Sequence, residues 1–268
     1  MNASSPKAYT IAGIDSMQAE RSTPLQLAPV REKAAFLDFD GGRLSSDAGL
    51  VLLKVPDEQL GLTRALATVL SDPRDARRVH FTRHDLRKQR VLQIAAGYED
   101  ANDANTLRHD PIFKLLLDRL PETGAPLASQ PTMSRFENRV SRSELYRMAR
   151  VLLDQFIASY ATQPTVIVLD VDDTEDRAHG AQEHIRYDGY YGGYCFLPCH
   201  LYEGLSGRLI TTILKAKRFS GAQMLAVLKR VVKRLRHAWP DTWVILRGDS
   251  HFAYPEVMAW LEAQPHLS

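Results

Sequence analysis

A chain of 268 residues can bury a sizeable core and is expected to form one or two domains. At 44% hydrophobic and 25% charged residues, its composition is that of a soluble globular protein, and with Cys195 and Cys199 as the only cysteines a Cys-rich zinc site is excluded. The net charge of +2 decides little, because the basic residues are unevenly placed. Arg74, Arg77, Arg78, Arg83, Arg87, Lys88 and Arg90 crowd one segment, and Lys229, Arg230, Lys233, Arg234 and Arg236 another. The two cysteines fall on one face of an expected strand, too far apart for a disulfide. No run approaches membrane-spanning length and the N-terminus has no apolar signal core, so a reduced, cytoplasmic protein without membrane contact is expected.

Residues 1–32 show no sustained periodicity and read as a mobile tail. Phe36–Phe39 reads as a short strand ended by a turn at Asp40-Gly41-Gly42, and Ser45 or Ser46 as the cap of a helix through Lys54. Another helix follows Pro56, over Leu60 to Leu70. The basic segment then leads into a helix at 84–96, and Pro111–Leu117 reads as a compact buried helix. Thr132 reads as an N-cap, and Ser141 or Ser143 restarts the chain into a helix striped by Leu145, Met148, Ala149, Leu152, Leu153, Phe156, Ile157 and Tyr160. Residues 33–160 are thus expected to form a mainly helical DNA-binding and dimerisation region.

After Pro164 the period changes. Thr165–Leu169 is a short apolar run that suits a strand buried on both faces, and it runs straight into Asp170, Asp172 and Asp173. A second strand is expected from Tyr194 to Tyr202, a hairpin turn at Glu203–Gly207, and a third strand from Arg208 to Ala216. Ser220 caps a long helix with Met224, Leu228, Val231 and Leu235 on its buried stripe. Trp243–Leu246 is the fourth strand, and it runs into Arg247-Gly248-Asp249; Pro255 opens a last helix. Written out, residues 161–268 are β-β-β-α-β-α. A right-handed crossover sets the fourth strand parallel to an earlier one, and if that is the first, both Asp-bearing ends meet at one edge. The fold class is therefore α/β: a helical N-terminal region followed by an incomplete ribonuclease-H-like domain.

Massed carboxylates at buried strand ends are costly unless a cation neutralises them, and they suit the hard cations Mg²⁺ or Mn²⁺. Two such ions can activate a water or 3′-hydroxyl and stabilise the leaving oxygen in phosphodiester cleavage and joining. Alternation puts Asp170 and Asp172 on one strand face and Asp173 on the other, and it does not choose between Asp170 and Asp172. The basic clusters offer phosphate contacts through Arg83, Arg87, Arg90, Arg135 and Arg139.

LDVDDTEDRAHG, the following GYYGGYCFLP and ILRGDSHF together resemble the transposases of the bacterial insertion-sequence family numbered thirteen-eighty. These belong to the DDE superfamily, named for an Asp-Asp-Glu triad on a ribonuclease-H-like fold. SQPTMSRFEN at 129–138 is similar to their helical N-terminal region. The resemblance spans roughly residues 35 to 265. It implies divalent-metal-dependent strand cleavage and transfer at terminal inverted repeats, by a homodimer in a synaptic complex. It makes Asp172, in Asp-x-Thr with Thr174, the first triad residue, with Asp170 in reserve, and Asp249 the second. These are the catalytic candidates, with Asp172 and Asp249 as metal ligands; His251 and His179 are assigned no role. The third acidic residue of the superfamily is expected beyond Ser268, since Glu256 and Glu262 lie too close on the following helix. The chain is therefore expected to be a truncated transposase, inactive alone.

Two rivals stand beside this reading. A haloacid-dehalogenase-like phosphatase fits Asp170-Val171-Asp172-Asp173-Thr174 as a nucleophile motif, but expects parallel αβ units next rather than hairpins. A non-catalytic DNA-binding regulator or inhibitor of transposition needs only the basic region.

Overall fold

The computed structural model describes residues 25–30, 33–37, 44–215 and 217–268. The turn at Asp40-Gly41-Gly42, the end of the Phe36–Phe39 strand and most of the expected tail lie outside them. Within the stretch read as aperiodic, Leu25–Val30 (β1) pairs antiparallel with Lys33–Leu37 (β2). This hairpin belongs to a unit ending at Ser46; everything from Asp47 onward forms a second unit.

In the second unit a 3-10 turn at Ala48–Leu50 leads into α1 (Val51–Leu60), which runs through Pro56. The break expected at the proline comes instead at Gly61, whose φ of 63° is left-handed and cheap for glycine alone; α2 (Leu62–Thr68) follows. α3 (Arg83–Ala95) opens with a reciprocal capping box between Thr82 and Asp85. α4 (Ala104–Leu107) and α5 (Pro111–Leu116) are short, and Asp110 accepts from the N–H groups of Ile112 and Phe113 to start the latter. α6 (Gln130–Glu137) begins two residues before the expected Thr132 cap, with Pro131 in its first turn. α7 (Arg142–Ala158) starts at Ser141, again through a capping box, here with Glu144.

β3 (Val166–Asp173) follows. The expected single strand over 194–202 is two: Leu197 and Pro198 interrupt it, and proline has no N–H to give a ladder. β4 (Asp176–Arg177), β5 (Arg186–Asp188) and β6 (Gly193–Phe196) make a small separate sheet in the order β4-β6-β5. As a result Cys195 and Cys199 lie in different sheets, both buried and both free thiols. β7 (Cys199–Glu203), β8 (Arg208–Ile213), α8 (Gly221–Ala238), β9 (Trp243–Gly248) and α9 (Pro255–Glu262) complete the chain. The main sheet is ordered β8-β7-β3-β9, with β3, β7 and β8 antiparallel and β9 parallel to β3. The crossover through α8 thus returns the fourth strand to the side of the first.

One apolar cluster joins α7, β3, α8 and α9, through Leu153 and Phe156, Ile167 and Leu169, Met224 and Leu228, Val257 and Leu261. α7 therefore packs into the core of the sheet, and the residues from Asp47 to Ser268 group as one compact unit. The reason is the amphipathic stripe itself, which finds its partner on the sheet. Leu145, at the stripe's beginning, lies beyond that contact and is exposed.

Candidate active site and nucleic-acid interface

β3 buries its odd positions: Ile167, Leu169 and Val171 are at most 4% exposed. Asp173 continues that row, so its carboxylate enters the core. Lys215, just after β8, meets it at 2.7 Å, with the two side chains 5% and 7% exposed. His251 Nε2 approaches the same carboxylate oxygen at 3.6 Å. Neither Asp173 oxygen nor Lys215 Nζ meets hydrogen-bond alignment, so charge alone holds this pair. Cys199 lies opposite Asp173 on β7. Burial first, and then the Asp173 charge, push its thiol up to about 12, against the pull of Lys215.

The even positions lie on the other face. Asp170 stands opposite Arg247 in the parallel ladder. The guanidinium grips it with both arms, Nε to Oδ1 and Nη2 to Oδ2, each at 2.5 Å. Gly204, in the β7–β8 turn, makes room for this pair: a Cβ there would come within 2.6 Å of Asp170 Oδ2 and 2.8 Å of Arg247 Nη2. One position further on, Asp172 is exposed and pairs with His200 of β7 on one side. On its other side the β3–β9 ladder ends at Val171 and Gly248. Asp249 is the next residue of that strand, in extended conformation and exposed, at the head of the 3-10 turn Ser250–Phe252. The buried Phe252 donates its N–H to the Asp249 carbonyl at 2.9 Å and anchors this turn.

The topology therefore delivers Asp172 and Asp249 to the same end of two adjacent parallel strands, while Asp170 is taken up by Arg247. Two carboxylates without a cationic partner among the described residues are a hard-oxygen donor set. They fit an ion such as Mg²⁺, which keeps several waters and is commonly held by one or two carboxylates plus substrate phosphates. Among the described residues, no group of three or more His, Cys, Asp or Glu side chains forms a closed metal site. Sequence reading did not find Arg247, Lys215 or His200. The first shares strand parity with Asp249 and was in principle readable; the other two depend on hairpin register.

The candidate DNA-contacting arginines separate into two groups. Arg90 bonds inward, to Glu137 at 2.5 Å and to the carbonyls of Tyr98 and Glu99. Arg87 is half-buried with its guanidinium 5.1 Å from the Phe136 ring centre, and burial lowers its pKa against the opposing Glu137 charge. Arg83 stands 3.9 Å from Asp72 at the surface. Arg135 and Arg139 are exposed and take part in no ion pair among the described residues. No helix among these residues is long and apolar enough to cross a membrane.

No curated protein and no solved structure matches the chain. The profile of one family, transposase DDE domain group 1, matches residues 27–268, which takes in the whole main sheet and both aspartates. The chain belongs to transposase DDE domain group 1.

Proposed function

We propose that this chain supplies the DNA-end recognition and two of the acidic residues of an insertion-sequence transposase, of the family numbered thirteen-eighty, on a ribonuclease-H-like sheet. The observation that carries this reading is the pairing of β3 with β9 in parallel register, which sets Asp172 and Asp249 at one sheet end. Asp172 is the first acidic residue of the set, since Asp170 is already neutralised by Arg247. The two carboxylates hold Mg²⁺ or Mn²⁺, which when bound supplies Lewis-acid stabilisation of the scissile phosphate. Arg83, Arg135 and Arg139 hold the DNA backbone at its phosphates, while Arg87 and Arg90 fix α3 against its neighbours. The homodimer of a synaptic complex would bring two transposon ends to two such sites.

The test is nicking of end-labelled inverted-repeat DNA with Mg²⁺ or Mn²⁺ in a cleavage-competent assembly, where Asp172→Ala and Asp249→Ala should each remove the cut while binding of the DNA persists. Robust 3′-hydroxyl ends that survive Asp249→Ala would overturn the assignment of this pair of aspartates.

A second reading, a DNA-binding regulator that does not cut, needs only the exposed arginines Arg135 and Arg139. It predicts DNA binding without cleavage in any assembly. The phosphatase reading gains no support, because the antiparallel β7–β8 hairpin occupies the side of β3 where parallel αβ units would return.

A further inference from the structure

Between the segment after α2, the start of α3, α6 and the start of α7, the helical half holds a cleft of about 260 Å³. Its wall is apolar through Leu70, Phe81, Leu86, Phe136 and Val140. Arg74, Arg78, Arg83, Arg135 and Arg139 also line it. Two acids share the cleft, and both are already engaged. Asp72 accepts both arms of Arg74 at 2.7 Å, and that bond holds its carboxyl down to about 2. Glu144 accepts from the Ser71 N–H and hydroxyl and caps α7. Arg78, Arg135 and Arg139 are left exposed, with no acidic partner among the described residues. The guanidiniums that cover Phe81 and Phe136, those of Arg119 and Arg87, stand 5.1 Å from the ring centres and do not line the cleft.

An apolar, aromatic wall beside unpaired guanidiniums matches a ligand with a flat apolar body and an anionic group. Continuous duplex DNA offers such a cleft phosphates, sugars and base edges but no base face, because its bases are stacked on one another. The volume lies just under the roughly 300–1,000 Å³ of clefts that enclose drug-sized ligands, a size that suits one ring system. We propose that this cleft receives a single unstacked nucleotide of a DNA strand, with its base against Phe81 and Phe136 and its phosphate on Arg78, Arg135 and Arg139. The assignment rests on the reading of the chain as a protein that handles DNA ends, where fraying or distortion frees individual bases. Aromatic stacking tolerates every base, so the cleft recognises the unstacked state rather than a sequence.

The test is fluorescence anisotropy of the whole chain in EDTA, which separates binding from cutting. Three labelled duplexes of one sequence are compared: perfectly paired, with one extrahelical nucleotide, and with an extrahelical abasic linker at the same place. The extrahelical nucleotide is expected to tighten binding about tenfold over the perfect duplex, as one base stacked on aromatic side chains allows, and the abasic linker to return it to the perfect-duplex level. Phe136→Leu should remove the tenfold difference and spare perfect-duplex binding, whereas Arg139→Gln should weaken all three. Deoxyadenosine monophosphate should displace the bulged duplex at lower concentration than inorganic phosphate. Equal affinity for the nucleotide and abasic bulges overturns the assignment, and that comparison uses the unaltered chain, so it does not depend on any variant folding. Inorganic phosphate competing as well as the nucleotide would make the cleft a plain anion site, and a free nucleotide bound far more tightly than any DNA would make it a small-molecule site; both overturn it. Failure to bind the perfect duplex at all would instead count against the DNA-handling reading itself.

Discussion

The two halves of the second unit dispose of their charges differently. In the helical half, short helices have many ends, and each end leaves backbone N–H and C=O groups that need partners. Charged side chains supply many of those partners. Asp85 and Glu144 complete capping boxes, Arg90 bonds two carbonyls, and the buried Lys114 bonds the carbonyl of Glu122. In the sheet half the ladder satisfies the backbone, so charged side chains at strand ends are fixed by strand parity and by what the neighbouring strand presents. Asp173 faces inward and meets Lys215, Asp170 faces outward and meets Arg247, and Asp172 and Asp249 meet no cation among the described residues. Charge counted in a sequence is therefore not charge available to a ligand, and what removes it differs between helices and sheet.

The largest effect should come from breaking the inward-facing pair. Removing one partner of an ion pair this buried leaves the other charge stranded, so Asp173→Ala or Lys215→Met alone is expected to cost about 3–5 kcal/mol. Asp173→Leu combined with Lys215→Met should recover most of that. Urea denaturation of the two single variants and the double variant measures it; a double variant no better than the worse single would mean that charge is not the cause.

Arg90 and Arg139 sharpen the contrast within the helical half. Arg90→Ala should lower stability by about 1.5–3 kcal/mol, because it removes charged hydrogen bonds that are mostly internal. Arg139→Ala should leave the denaturation midpoint in place and reduce the slope of log binding constant against log salt by about one. If Arg90→Ala instead altered only the salt slope, the division into structural and available arginines would fall.

The outward pair should matter less. Arg247 is largely exposed, so Arg247→Ala or Asp170→Ala is expected to cost at most about 1 kcal/mol. Gly204→Ala should break the same pair by steric intrusion, with a stability loss of similar size. In a cleavage-competent assembly, Asp170→Ala should then reduce strand cleavage much less than Asp172→Ala, for which a loss on the order of 10²–10³-fold is expected when one stabilising group is removed. Equal losses would return Asp170 to candidacy.

The effect that is absent at neutral pH and enters only in alkali concerns Cys199. Its thiol is raised from 9.0 to about 12, so the folded state holds its proton more tightly than the unfolded chain does. That contribution is complete below about pH 9 and is lost progressively as pH rises from 9 toward 12. Denaturation of the protein and of Cys199→Ala across this range should diverge only above pH 9, with the variant the less pH-sensitive. Thiol reagents at about pH 8, near the ordinary thiol range, should modify neither cysteine until the protein unfolds, since both are buried.

Much of this was legible in the residues alone. Apolar runs ending in aspartate announced β3, which needs no alternation because it is buried on both faces, and β9, which lies at the end of the sheet with Val244 alone buried. Ser141, with Ser143 as the alternative, and Ser220 marked the starts of α7 and α8, because capping acts within three residues. Strand parity separated Asp173 from Asp170 and Asp172 before any partner was known. The break at Leu197-Pro198 was readable too, from the missing N–H, but the long β-rich run concealed it.

What only the tertiary structure decided is which charges found each other. Asp170 and Arg247 are 77 residues apart, and nothing local to either predicts the bidentate grip that leaves Asp172 free. Arg90 looks like its neighbours in a basic segment until Glu137, 47 residues on, is packed against it. Capping and periodicity act over a few residues and are written in neighbouring letters. Ion pairing depends on register and crossover, which the chain settles only when the sheet closes and the helices pack.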